Sequence, residues 1–178
     1  TGGTRLIRYG DVRHNLLSLE VVLFDPPGQQ LTLGRALRKD NTGFDLKQLF
    51  VGTSGVCGVI TRATLEIHPR PQQSATALVV PTSDVAVMQL LTALETDLGD
   101  FLSAFEGMSA TAMRVAVEHM PNARNPFAPE PLPEFAILIE LESSCSRAAT
   151  GLDLAEILNR FLESKLETLI SNAVIGNG

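Results

Sequence analysis

Nine consecutive residues carry the strongest chemical signal in this chain: Gly52-Thr53-Ser54-Gly55-Val56-Cys57-Gly58-Val59-Ile60. Three glycines at a spacing of three lead straight into a β-branched apolar run. Without a Cβ, a glycine backbone passes close to a ligand and turns successive N–H groups toward it, which suits a pyrophosphate or the edge of a planar ring. The run is not a dinucleotide fingerprint, because the glycine order differs from that motif and no helical pattern follows. A turn whose glycines adopt positive φ accounts for the same spacing without any ligand. Elsewhere the chemistry is sparse. His14, His68 and His119 are too far apart in sequence to place ligands on one metal, so no metal site is expected. Cys57 and Cys145 make no metal or redox spacing, and Cys57 between glycines reads as a small packing residue rather than a reactive thiol. There is no nucleophile elbow, paired catalytic carboxylate or phosphate loop, and the catalytic residues stay unassigned.

These residues sit in a chain of 178 residues and 19.1 kDa, enough for one ordinary domain or two small ones without a disulfide framework. Hydrophobic residues make up 44% and charged residues 19%, which excludes a disordered, collagenous or coiled-coil chain. The formal charge of −6 has the wrong sign for a nucleic-acid binder and disfavours anionic membrane surfaces. No apolar run reaches the roughly 20 residues of a bilayer span. No leader opens the sequence, and the two separated cysteines fit a reducing compartment, so the expected location is cytoplasmic. Starting at Thr1-Gly2-Gly3-Thr4 without an initiator Met, the chain reads as an internal fragment.

The patterns that must position the glycine run come in two styles. Glu20 to Asp25 and Gln30 to Gly34, separated by Pro26-Pro27-Gly28, predict a hairpin. Leu46, Leu49 and Phe50 predict a short helix that Asp45 can cap and Gly52 stops. From Val59 to His68, Ala63, Leu65 and Ile67 alternate with polar residues and predict a strand with one buried face. Asn41 can hold its own turn by an Asx-type bond, and Lys39 with Arg38 can pair Asp40 or Asp45. After Pro69-Arg70-Pro71 the rhythm changes to strands alternating with amphipathic helices. Ala75 to Val80 predicts a strand. A helix after Pro81-Thr82-Ser83-Asp84 carries Val87, Leu91, Leu94 and Leu98. Phe101 to Glu106 and Glu134 to Glu142 predict strands around a helix capped by Ser109. A last helix from about Leu152 to Leu166 buries Leu154, Leu158, Phe161 and Leu162, with Glu156 and Arg160 as an i,i+4 pair; Asn172 to Ile175 can begin another strand. There is no internal repeat.

The stretch LRKDNTGFDLKQLFVGTSGVCGVIT, with TGGTRLIRYGDVRHNLLSLEVVLFD upstream, resembles a known family. It is similar to the flavin-binding oxidoreductases of the vanillyl-alcohol oxidase and p-cresol methylhydroxylase fold, nearest to their D-2-hydroxyacid dehydrogenases of the D-2-hydroxyglutarate, D-lactate and glycolate type. The later Leu102-Ser103-Ala104-Phe105-Glu106-Gly107-Met108-Ser109 is a weaker match. The resemblance implies that residues 1 to 71 are the C-terminal part of an FAD-binding domain. It implies that residues 72 to 178 are the N-terminal part of a substrate or cap domain. The implied fold is α+β, with a ferredoxin-like antiparallel sheet and helices on one face, against the parallel default for alternating β and α.

The resemblance further implies FAD as cofactor, along Gly2, Gly3, Gly52, Ser54, Gly55, Val56, Gly58, Val59 and Ile60. Ser54 stands where the family has an acidic residue, Cys57 where it has Leu, and Phe44 where it has Tyr, so a side-chain contact at the first and a hydroxyl bond at the last are lost. The implied reaction oxidises a D-2-hydroxy acid to the 2-oxo acid, with an electron acceptor as second partner. The substrate-binding arginine, metal histidines and base of such enzymes follow the matched region, so this fragment alone is expected to be inactive. A homodimer or an oxidase-complex subunit fits the family. The alternative is a non-catalytic flavin-fold or ligand-binding subunit of an oxidoreductase complex.

Overall fold

The structure is a computed structural model that describes residues 3–40 and 42–176. The chain divides into two compact units, Thr1–Pro69 and Arg70–Gly178. The division falls within the proline-bracketed stretch where the sequence changes rhythm.

In the first unit two short helices, α1 (Leu6–Tyr9) and α2 (Val12–Asn15), precede β1 (Leu16–Val22), β2 (Gln30–Gly34), a 3-10 turn (Leu46–Leu49) and β3 (Val59–Leu65). The three strands form an antiparallel sheet in the order β2-β1-β3. The hairpin is present, but β1 starts earlier than expected and stops at Val22; Leu23 N–H still donates to the Gln29 carbonyl at 2.8 Å, and Pro26 and Pro27, without N–H groups, lie in the turn. Leu16, Leu19, Val21 and Val51 are its buried core, with Leu23 and Phe50 packed against them.

The buried face expected on β3 is corrected: Ala63 and Leu65 alternate with polar residues as predicted, yet both are exposed. The period is that of a strand, but this apolar edge lines an open groove instead of meeting a second layer. The expected Asp45 cap is also absent. The Asp45 carboxylate accepts from Lys47 Nζ at 2.6 Å and makes no bond to the helical amides. A cation two residues along outcompetes neutral N–H donors for the same carboxylate. Arg38 pairs with Glu66 at 3.4 Å rather than with either aspartate.

The second unit runs β4 (Gln73–Pro81), α3 (Asp84–Leu98), β5 (Leu102–Ser109), α4 (Ala110–His119), β6 (Phe135–Ser143), α5 (Arg147–Thr150), α6 (Leu154–Lys165) and β7 (Ile170–Gly176). Its sheet order is β5-β6-β4-β7, antiparallel at every pairing. The first strand is thus central, and α3 carries the chain past the place of β6 before β5 forms. That is the ferredoxin-like arrangement and an α+β fold.

Strand alternation explains the packing. Ala75, Ala77 and Val79 of β4 and Ile137, Ile139 and Leu141 of β6 face one way, against Leu90, Leu94 and Leu98 of α3 and Leu154, Leu158, Phe161 and Leu162 of α6. Of the expected α3 face, Val87 and Leu91 are only partly buried. The fully buried row is Ala86, Leu90, Leu94 and Leu98 at i+4 spacing, because small Ala86 lets the helix lie close to the sheet. Helices do not all occupy one face: Met113 of α4 and Phe127 of the proline-rich loop cover Ala136, Leu78, Val80 and Val174 on the other side. The apolar side chains at alternate positions of β4 and β7 require that cover.

The helix starts are chemically fixed. Ser83 and Ser109 accept from Ala86 N and Ala112 N, and Asp153 accepts from Ala155 N at 3.0 Å and Glu156 N at 3.4 Å. Asp153→Ala is expected to cost about 1 kcal/mol, read as a lower thermal midpoint of the parent protein. Its 2.5 Å pair with Arg147, whose side chain is mostly exposed, adds little to that figure.

Candidate functional site

The glycine run begins where the core of the first unit ends. Val51 is 8% exposed, and the next residue, Gly52, turns the chain at φ +80°. Thr53 Oγ1 donates to the Phe50 carbonyl at 2.9 Å, and Val56 N–H donates to the Thr53 carbonyl at 3.1 Å, closing the turn. Ser54 lies at φ +53°, a left-handed conformation that a non-glycine residue rarely adopts.

Two of the glycines have different physical reasons to be there. A Cβ on Gly58, at φ +153°, would sit 2.8 Å from Val21 Cγ1 and 2.8 Å from the Val22 carbonyl oxygen, so the bare backbone passes directly over β1. A Cβ on Gly55, at φ +83°, would meet nothing within 4 Å. Gly55 faces open space, and no described residue accepts a hydrogen bond from the amides of Ser54 or Gly55.

That open space is an apolar groove of about 630 Å³. One wall is the turn: Gly52, Ser54, Gly55, Gly58, Val59 and Ile60 all line it. The other is built from Leu16, Leu19, Phe50, Val51, Ala63 and Leu65. Six residues singled out in the sequence are therefore brought together. Val56 is not among them: it is 79% exposed and points away from the lining. Gly3 lies outside the groove, and Gly2 and Asn41 lie outside the described residues. The far wall was missed because its signal, the Ala63 and Leu65 alternation, reads equally well as ordinary core.

An open groove with apolar sides and unengaged amide donors on one wall can take an apolar, hydrogen-bond-accepting ring. Among the described residues no three His, Cys, Asp or Glu side chains converge to hold a metal. His68 Nε2 lies 3.0 Å from Asn15 Oδ1 with its ring tilted against Tyr9, and His119 Nδ1 lies 3.1 Å from the Val115 carbonyl at the end of α4.

The loop before the 3-10 turn holds its own conformation. Thr42 Oγ1 and then Thr42 N–H donate to Asp40 Oδ1 and hold that carboxyl below the usual carboxylate range, with Arg35 and Lys47 adding in the same direction. Because the folded value is the lower one, this contribution to stability is present above the ordinary carboxylate pKa and is lost as the pH falls through the folded value. Thr42→Val is expected to return Asp40 toward its ordinary value, followed by NMR titration of its carboxyl carbon. An unchanged titration would show that Arg35 and Lys47 hold the shift.

The chain is 39% identical over 165 residues to rat mitochondrial D-2-hydroxyglutarate dehydrogenase, which covers 93% of this chain and 30% of the rat protein. It is 39% identical over 177 residues to the Bos taurus protein of the same name, covering 99% of this chain and 30% of that one. The chain is related to the D-2-hydroxyglutarate dehydrogenases. It spans about 30% of the length of these curated relatives. Alkyldihydroxyacetonephosphate synthase matches all of the chain and 32% of its own with a TM-score of 0.66 at 17% identity. Substrate-bound p-cresol methylhydroxylase matches 90% of the chain and 34% of its own with a TM-score of 0.54 at 14% identity. The fold is therefore that of the p-cresol methylhydroxylase group. No protein-family model matches the chain. The expected cytoplasmic location is overturned: both dehydrogenases are named mitochondrial, and the expectation rested on a missing leader in a sequence that spans less than a third of theirs. No helix among the described residues is long and apolar enough to cross a membrane.

Proposed function

We propose that the protein to which this chain belongs is an FAD-dependent, mitochondrial dehydrogenase of D-2-hydroxy acids, of the 2-hydroxyglutarate type. The observation that carries this reading is the coincidence of the apolar groove with the glycine turn, in a chain 39% identical to D-2-hydroxyglutarate dehydrogenases along its length. Residues through Pro69 are the C-terminal part of the FAD-binding domain, and the ferredoxin-like unit is the start of the substrate or cap domain.

The residues present fit a flavin. Ser54 and Gly55 would hold the group by their backbone donors, Gly55 leaves open space beside the turn, and Leu16, Leu19, Phe50, Ala63 and Leu65 would exclude water from the groove. Bound FAD would supply the acceptor for the hydride of the hydroxyl-bearing carbon, and an external electron acceptor would reoxidise it. This chain's part is to bind and orient. The relatives are dehydrogenases, which supports the enzyme reading over a non-catalytic subunit.

The test is the visible absorption spectrum of the purified full-length protein, followed by anaerobic addition of D- and L-2-hydroxy acids. A flavin spectrum bleached by D-2-hydroxyglutarate and not by the L-isomer is expected. A protein without flavin after reconstitution with excess FAD would make the glycine turn a scaffold feature and overturn the reading.

A further inference from the structure

The turn that lines the groove is not held by its own hydrogen bonds alone. One side chain reaches it from another element: Arg13, which lies in the upstream stretch of the resemblance but has no role implied by it. Arg13 stands on α2, a helix too short to be stable alone. Its surroundings fix it in place. Asp11 Oδ1 accepts from His14 N at 2.9 Å, Asn15 Nδ2 donates to the Tyr9 carbonyl at 2.6 Å, and Glu66 N donates to the Asn15 carbonyl at 2.8 Å.

From this anchored base the guanidinium forks. Nη1 donates to the Gln48 carbonyl at 3.0 Å and Nη2 donates to the Val51 carbonyl at 2.6 Å, while Gln48 Nε2 returns a bond to the Arg13 carbonyl at 3.0 Å. Both accepted carbonyls lie at the end of the 3-10 turn, and Val51 is the residue before Gly52. A Cβ on Gly52 would lie 3.4 Å from Arg13 Nη2, so the fork rests against the first glycine of the turn. Lys47, the neighbouring cation, is taken by Asp45 and does not share this task.

We infer that Arg13 is a positioning residue for the cofactor turn: by clamping the Gln48 and Val51 carbonyls it sets the angle at which Gly52 to Gly55 enter the groove. The inference rests on the flavin reading of that groove. A rigid planar fork with two aligned donors bridges two carbonyls at a fixed separation, and a lysine ammonium, as a single point on a flexible stem, does not reproduce that geometry. Charge-assisted bonds of this kind are stronger than neutral ones, so their loss releases the turn while the β1 to β3 ladder remains.

The experiment uses the full-length protein in four variants: Arg13→Ala, Arg13→Lys, Gly55→Leu and, as a control, Arg62→Ala, whose mostly exposed side chain lies away from the groove. FAD affinity of each apoprotein is read by quenching of flavin fluorescence, and the resolution of the visible flavin bands reports ring placement. Arg13→Ala is expected to weaken FAD binding about tenfold or more and blur those bands, with Arg62→Ala unchanged. Arg13→Lys is expected not to rescue either readout, and it serves as the test if the alanine variant fails to fold. FAD affinity within twofold of wild type in Arg13→Lys, with Gly55→Leu losing its flavin, would overturn the inference while leaving the flavin reading intact. Retention of FAD by Gly55→Leu would overturn the flavin reading, and the role of Arg13 with it.

Discussion

Leu158→Ala in the full-length protein is expected to destabilise the ferredoxin-like unit by about 2–5 kcal/mol. Leu158 is fully buried on α6 in a cluster with Leu90 and Leu94 of α3 and the inward side chains of β4 and β6. Truncation removes the γ carbon and its two methyl groups and leaves a cavity that two helices and a pleated sheet cannot close, because their backbones are fixed by the sheet ladder and the helical bonds. A denaturant titration followed by far-ultraviolet circular dichroism reads the loss. A change under 1 kcal/mol would mean that α6 does not seal this core.

The second large effect is expected at Gly58. Gly58→Val places a Cβ 2.8 Å from both Val21 Cγ1 and the Val22 carbonyl, and it does so at φ +153°, where a β-branched residue is strained before any contact is counted. Backbone strain of about 1–3 kcal/mol and overpacking of about 1–3 kcal/mol act together. Among the described residues the core cluster of the first unit has four buried members, so little holds it against such a cost. Limited proteolysis is expected to show cleavage within residues 1–69 before any within the second unit. Gly55→Ala is the contrast: its Cβ meets nothing, and only the left-handed φ costs it, about 1 kcal/mol. Equal protease resistance of Gly58→Val and Gly55→Ala would rule out the close approach over β1.

What the sequence made legible follows from how local each signal is. Residues such as Ile137, Ile139 and Leu141 announce a strand and its inward face by period alone, and Ser109 announces a helix start because the bond it makes lies three residues away. The α3 face was right at Leu94 and Leu98 but one residue off, about 100° round the helix, at its start, since large Val87 and Leu91 outweigh small Ala86 in the sequence while the sheet selects for close approach. Asp45 failed as a cap because its partner depended on which rotamer Lys47 chose. In the candidate site the glycine turn was legible as a contiguous motif. Its far wall was not, because Leu16, Leu19 and Leu65 join it only through the register of β1 with β3. Arg13 was silent for the same reason: its partners are 35 and 38 positions away and are main-chain carbonyls, which no residue type advertises.

The central place of β4 has a consequence for synthesis on the ribosome. β4 ends at Pro81, but its neighbours in the sheet are β6, beginning at Phe135, and β7, beginning at Ile170. At about 5–20 residues per second, roughly 3–10 s pass before the first edge of β4 can be paired and roughly 5–20 s before the second. Until β6 is made, the nascent chain presents the apolar run Ala77, Leu78, Val79 and Val80 open on both edges of β4, and until β7 is made, on one. Slowing translation between codons 82 and 134 therefore prolongs the exposure, whereas pairing becomes complete only with the residues made last in this unit.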